Sequence, residues 1–345
     1  MFKQLPRRAT LLAAVALVCG TALAQTPAKS PASKPAKSAK STEGAPLNWP
    51  TKPVRLMVGF PGGSTPDLVA RTIAEPLSKA LGQPVIVENR PGAGGNIAAD
   101  VVAKSTDNHT LGIMINGNMT IAKILNPATP FDPIKDLAPI SLIGTAPLLL
   151  TAPASLPFNN AQEFFLAARN GGDKWSYASP GIGTVGHIGM ELLKTKTNIA
   201  PVHVPYPGNP QVINAMIGGQ IQLALLPPGL AAPQIRAGKL KAVGVTSVNR
   251  SPLVPEYPSL DEGGVRGFQL EIWTAAAGPA NLPKPIVAKL SGLISEIARS
   301  PDVRQKLFQQ GWQVAGTSAE GLANRVKSDT NLLGGVIVMR GIKAQ

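Results

Sequence analysis

The sequence predicts an α/β protein of two lobes, each a mixed or parallel sheet flanked by helices, joined by two crossover connections around a central cleft. Three observations carry that expectation. Short apolar runs alternate with amphipathic stretches from residue 50 onward, the order that builds open sheets covered by helices. The pattern restarts near residue 139 with a second set of similar size. The tail beyond residue 265 is too short for a third unit, so it must return to the first. At roughly 150 residues per domain, 345 residues also fit about two.

In the first unit, Val54 to Gly59 reads as a buried strand. Thr65 suits a helix cap, with Pro66 at the first helical position and Asp67 in the first turn. Val69, Ile73, Leu77 and Leu81 then mark one helical face. Val85 to Val87 is a strand, Asn96 opens a helix, and Thr110 to Ile115 is a third strand. In the second unit, strands are expected at 139–144, 148–151, 175–179, 202–204, 221–226 and 240–245. Asn160 with Glu163 forms a capping-box-like pair, and helices follow near Gly186 and Asn209. The tail carries Val265 to Ala277 and helices near 284–299, 301–310 and 318–333. The expected division is 49–145 plus 275–345 for one lobe and 146–274 for the other.

Composition narrows the class. With 44% hydrophobic and 15% charged residues the chain is not a disordered one. Its only apolar run near spanning length is at the extreme N-terminus, which excludes a polytopic membrane protein. Lys3, Arg7 and Arg8, the apolar Leu11 to Val18 and the small-residue site Ala22-Leu23-Ala24 read as a secretory signal cleaved after Ala24, over residues 1–24. Residues 25–48, rich in Ala, Pro, Lys and Ser, read as a disordered tether. The only cysteine, Cys19, falls in the signal, so the mature chain can form no disulfide or thiolate metal site. The net charge of +14 is inflated by these segments, because seven of the 33 Lys and Arg but one of the 19 Asp and Glu precede residue 45. The remaining basic residues are scattered and aromatics are 4% of the chain, so nucleic acid is excluded as a partner.

The chemistry-bearing motifs are two glycine-rich loops. Gly181-Ile182-Gly183-Thr184-Val185-Gly186 is a literal G-x-G-x-x-G between a strand and a helix, the setting of a dinucleotide fingerprint. An NAD(P)-dependent enzyme is therefore one reading. The acidic residue that should follow about 20 positions on is missing, since Asn198 to Gln211 holds no Asp or Glu. Phe60-Pro61-Gly62-Gly63-Ser64-Thr65 repeats the arrangement in the first unit without the Lys of a P-loop. Neither loop contains Arg or Lys, so an anion held between them must rely on backbone amides, hydroxyls and helix dipoles. His109, His187 and His203 are isolated in sequence, and no metal site, cofactor or catalytic residue is assigned. His187 reads as a packing or capping residue, and Asp67 as completing a helix N-terminus.

Several segments together resemble the tripartite tricarboxylate transporter receptor family, the Bug-type extracytoplasmic solute receptors. They are Pro50 to Arg55, Pro61 to Thr65, Val87 to Asn96, Phe131 to Pro139, Tyr177 to Gly181, His203 to Tyr206, Gly218 to Gln220 and Val245 to Ser247. The resemblance implies a periplasmic binding protein fold of type 2, a monomer that closes on a small carboxylate and delivers it to a membrane permease of one large and one small subunit. A related sensor that docks on a signalling protein would use the same fold. The resemblance places ligand contacts at Phe60, Gly62, Gly63, Ser64 and Thr65, at Asn116 and Asn118, at Ser179, Gly181, Gly183 and Thr184, and near Tyr206 and Trp273. It departs at Pro227-Pro228, where many members carry Asp. An acid there could hold an amino group, so the expected ligand is a carboxylate without one.

Overall fold

The computed structural model describes residues 48–343; the expected signal, its cleavage site and all but residue 48 of the expected tether lie outside them. In chain order the elements are β1 (Val54–Val58), α1 (Thr65–Leu81), β2 (Val85–Asn89), α2 (Asn96–Ala103), β3 (Thr110–Ile115), and the short helices α3 (Asn116–Thr120), α4 (Ala122–Leu125) and α5 (Pro133–Asp136). There follow β4 (Leu137–Pro147), β5 (Leu149–Pro153), α6 (Ala161–Gly171), β6 (Ser176–Ser179), α7 (Val185–Thr197), β7 (Val202–Pro205), α8 (Asn209–Ile217), β8 (Leu223–Leu226), α9 (Pro228–Arg236) and β9 (Leu240–Val245). The tail carries β10 (Glu271–Pro279), α10 (Lys284–Arg299), α11 (Pro301–Gln309), β11 (Gln313–Val314) and α12 (Ala319–Arg340). Among the described residues no helix is long and apolar enough to cross a membrane.

Two sheets result, ordered β11-β4-β10-β3-β1-β2 and β7-β6-β8-β5-β9. β1 pairs in parallel with β2 and β3, setting Leu56 beside Val87 and Leu111. β10 returns antiparallel between β3 and β4, so the first sheet is mixed. Local sequence explains the edges. Ser64, in an extended conformation, occupies the cap of α1, one residue before the expected Thr65, and Pro66 sits in the first turn. Gly82 closes the helix at φ 68° in the left-handed region that only glycine enters freely. Asn160 Oδ1 accepts from Glu163 N at 2.9 Å, while the Glu163 carboxylate reaches back one residue further than a capping box, to Asn159 N at 2.8 Å.

The sheets are joined where chain crosses between them. β4 runs into β5 through Leu148 alone, and the segment after β9 returns to β10. Thr246 ties both crossings together. Its hydroxyl donates to Leu270 O at 2.7 Å and accepts from Leu148 N at 2.8 Å, while its backbone N donates to Leu148 O at 2.8 Å. The tail does not stay with one sheet. Leu322 and Val326 of α12 pack in the core beneath the first sheet, but Leu333, Val336 and Ile337 join the core of the second. A helix of 22 residues is about 33 Å long at 1.5 Å per residue, enough to reach both cores. It passes through Gly334 and Gly335 and stops at Gly341, φ 60°, well beyond the expected end at 333.

Candidate functional site

The starts of α1 and α7 meet across a cavity between the two sheets. Its lining includes Phe60, Ser64, Thr65, Asn116, Thr184 and Trp273 from the residues expected at the site, with Val185, Gly186, Asn209, Pro227 and Trp312 among those not expected. Its empty volume, open solvent at its mouth included, is about 520 Å³. None of the lining side chains is ionisable.

The first loop is shaped by Asp67. Its buried carboxylate accepts from Gly63 N at 2.9 Å, Asn89 Nδ2 at 2.8 Å and Arg71 Nε at 3.0 Å. Burial pushes this carboxyl up, but the hydrogen bonds from Arg71, Asn89 and Gly63 outweigh it and hold the group below the ordinary carboxylate value. The reading of Asp67 as a group that completes a helix start fits this geometry.

Three of the loop glycine amides are not free, which corrects the simple picture of glycines that cradle an anion. Gly63 N is spent on Asp67, Gly181 N donates to Ser179 Oγ at 3.3 Å, and Gly183 N donates to His187 Nδ1 at 3.3 Å. Gly62 and Gly63 are exposed outside the cavity. The open donors come one or two residues later. Among the described residues the amides of Thr65 and Asp67 in α1, and of Val185 and Gly186 in α7, have no acceptor. They are the orphan N–H groups that every helix start leaves, and they carry the positive end of the helix dipole.

Other expected contacts hold the scaffold. Asn116 spends its side chain on β10, donating to Glu271 O at 3.3 Å and accepting from Trp273 N at 2.8 Å. Asn118 does not line the cavity; its Nδ2 donates to Gly94 O at 3.0 Å and Asn96 Oδ1 at 2.8 Å. Ser179 is buried beneath the loop, with its hydroxyl 2.7 Å from His203 Nε2. Tyr206 packs into the second lobe and lies off the lining, its N donating to Ser179 O at 2.9 Å. Trp273 is fully buried and anchored by Nε1 donating to Asp329 Oδ2 at 2.7 Å.

Gly181 and Gly183 serve the contact between lobes. A Cβ on Gly181 would lie 2.9 Å from Gly94 Cα, and Gly117 and Gly94 would clash in turn with the carbonyls of Gly183 and Ile182. Asn209 Nδ2 donates to Thr65 Oγ1 at 3.4 Å across the same seam. In this arrangement the first lobe fills the space a pyrophosphate would need at the G-x-G-x-x-G turn. Trp312 gave little signal in sequence, because an isolated Trp after a helix reads as core; Asn209 read only as a helix opener.

Beneath the second loop, His187 and His203 stack at 4.2 Å between ring centroids, and Tyr177 stacks on His203 at 4.8 Å. Tyr177 donates to Glu191 Oε1, which also pairs with Lys194 at 2.9 Å. Burial, with the neighbouring His187, pushes His203 down to about 4, and burial lowers His187 as well. The unfolded chain takes up these protons near pH 6.5. Stability is therefore full above 6.5 and is lost progressively as pH falls toward 4. The melting temperature is expected to drop across that window, and less steeply in His203→Gln; equal slopes for the two proteins would contradict the assignment.

Two helix-covered sheets, two strand crossings and an uncharged cavity between helix starts define a two-lobed solute-binding receptor. The family model for the tripartite tricarboxylate transporter family receptor matches residues 69–342. A Pseudomonas protein encoded in the tcbD-tcbE intergenic region is 34% identical over 82% of this chain and 84% of its own length. MatC of Rhodopseudomonas palustris, solved with bound malate, is 33% identical with a TM-score of 0.80, covering 84% of this chain and all of its own. A second R. palustris protein, solved with adipate, is 30% identical with a TM-score of 0.82, covering 86% of this chain and 99% of its own. The chain belongs to the tripartite tricarboxylate transporter receptor family, whose members are periplasmic binding proteins. It is a solute receptor.

Proposed function

We propose that this receptor closes its lobes on a small organic acid without an amino group and, as a monomer, hands it to a membrane permease of one large and one small subunit. The observation that carries the reading is the set of unpartnered amides at Thr65, Val185 and Gly186, three residues that line one cavity from two helix starts. Such termini bind carboxylates without a cationic side chain. The malate and adipate of the two R. palustris relatives support the ligand class. Pro227 on the lining leaves no carboxylate to hold an ammonium group, which disfavours amino acids. Export through a signal cleaved after Ala24 completes the proposal.

A thermal-shift screen of carboxylates on the chain from residue 25 tests it. A ligand at a hundredfold excess over its Kd adds about 2.7 kcal/mol to folding stability, enough to raise the melting point by several degrees. A shift with at least one carboxylate and none with aspartate or glutamate is expected. Shifts with the amino acids alone would overturn the reading.

A further inference from the structure

If the cavity holds a carboxylate, as proposed, its lining also discriminates among acids. Among the described residues, three polar atoms on lining side chains have no hydrogen-bond partner: Ser64 Oγ, Asn209 Oδ1 and Trp312 Nε1. Ser64 and Asn209 belong to one end, since Asn209 Nδ2 reaches Thr65 Oγ1. Trp312 comes from the tail of the first lobe, just before β11, and is 2% exposed. A buried indole N–H without an acceptor is rare, because its desolvation is left uncompensated.

The other polar side chains of the lining are engaged, Asn116 with β10, Thr184 with Gly181 O and Thr65 with Asn209, and the rest of the wall includes Phe60, Ile115, Leu148, Leu225, Ile272 and the Trp312 ring. The start of α9 offers little to a second anion. Pro227 and Pro228 lack N–H groups, and Gly229, the first residue with one, is pressed against the Gln310 carbonyl of the other lobe. Strong anion donors are thus concentrated at the starts of α1 and α7. A second carboxylate would be driven against hydrocarbon without a charged partner, which is costly.

We infer that the cavity takes a monocarboxylate with a compact apolar body, and that Trp312 is a specificity-determining residue that donates its indole N–H to the bound acid. The acid group sits at the helix starts, the body against the apolar wall. The indole contributes both a ring surface and the donor that the free protein leaves unpaired.

Calorimetry with benzoate and 2-methylpropanoate against succinate and adipate tests the class, and Trp312→Phe tests the residue. The monocarboxylates are expected to bind at least about tenfold tighter than the dicarboxylates. Trp312→Phe keeps the aromatic ring and deletes the donor. It is expected to weaken monocarboxylate binding about tenfold; in the free protein the removal of an unsatisfied buried N–H and the loss of packed ring volume oppose each other, so affinity is the readout. A purely structural Trp would lower the melting temperature and leave the affinity of the folded protein unchanged. A dicarboxylate binding as tightly as either monocarboxylate would overturn this inference and leave the carboxylate receptor standing. Unchanged affinity in Trp312→Phe would remove Trp312 from the site. Binding of none of the four acids, together with no shift in the wider carboxylate screen, would end both readings. Should the variant fail to fold, the wild-type ranking decides the class by itself, and the Trp312 indole N–H proton resonance of the wild type decides the residue: a downfield shift on addition of benzoate is expected, and an unmoved resonance would remove Trp312 from the site.

Discussion

Gly229→Ala is expected to leave the free receptor folded, even slightly stabilised, while weakening ligand binding by about a hundredfold. Gly229 lies in α9 with helical backbone that any residue can adopt, so alanine there raises helix propensity by up to about 1 kcal/mol. Its Cβ position, however, falls 1.9 Å from Gln310 O of the first lobe. With the lobes apart the methyl group meets nothing from the first lobe; with the lobes together it overlaps a backbone carbonyl that cannot retreat without moving α11. The substitution thus acts only on closure, and each 1.4 kcal/mol of bias against the closed state costs a factor of ten in affinity. Gly117→Ala is the matched case from the first lobe, with its Cβ 2.4 Å from Gly183 O. Gly94 is a poorer choice, because its φ of 63° would strain alanine in either state. Calorimetry and thermal melting on the same preparations check the pair. Unaltered affinity in both variants would show that the seam does not close on the ligand.

Asp67→Ala is expected to destabilise the fold by about 2–4 kcal/mol and to abolish measurable binding. The carboxylate gathers donors from three places: the loop amide of Gly63, Asn89 at the end of β2, and Arg71 one turn along α1. Removing it leaves Asn89 and Gly63 facing a void and frees the loop that sets the start of α1. Asp67→Asn retains the volume but can accept from fewer of these donors, so an intermediate loss is expected. Chemical denaturation gives the stability change. A loss below about 0.5 kcal/mol for the alanine variant would mean that the loop holds its shape without this carboxylate.

The alternation of apolar runs and amphipathic stretches made most elements legible, because strands and helices of this length are set by local periodicity. The helices at 284–299 and 301–310 and the first three strands fall close to where the periodicity placed them. The short helices α3, α4 and α5 escaped because a turn or so of helix has no period to read. α9 escaped because Pro227-Pro228 reads as a stop, although Pro228 is in fact its first residue. The site was half legible. Glycine-rich turns flag close approach, but sequence cannot say what approaches: at Gly181 and Gly183 it is the opposite lobe. Asn118 and Ser179 stand in the expected loops, yet their side chains serve Gly94, Asn96 and His203. Trp312 lies more than two hundred residues from Ser64 in the chain, and only the return of the tail to the first sheet brings both to one cavity.

A crystal structure of the protein with its tightest-binding acid bears most directly on whether helix starts, rather than charged side chains, hold the ligand. Carboxylate oxygens are expected about 2.7–3.2 Å from the amide of Thr65 and from that of Val185 or Gly186, with both lobes in contact. A carboxylate paired with an Arg or Lys, or one bound to a single lobe while the other stands away, would contradict it.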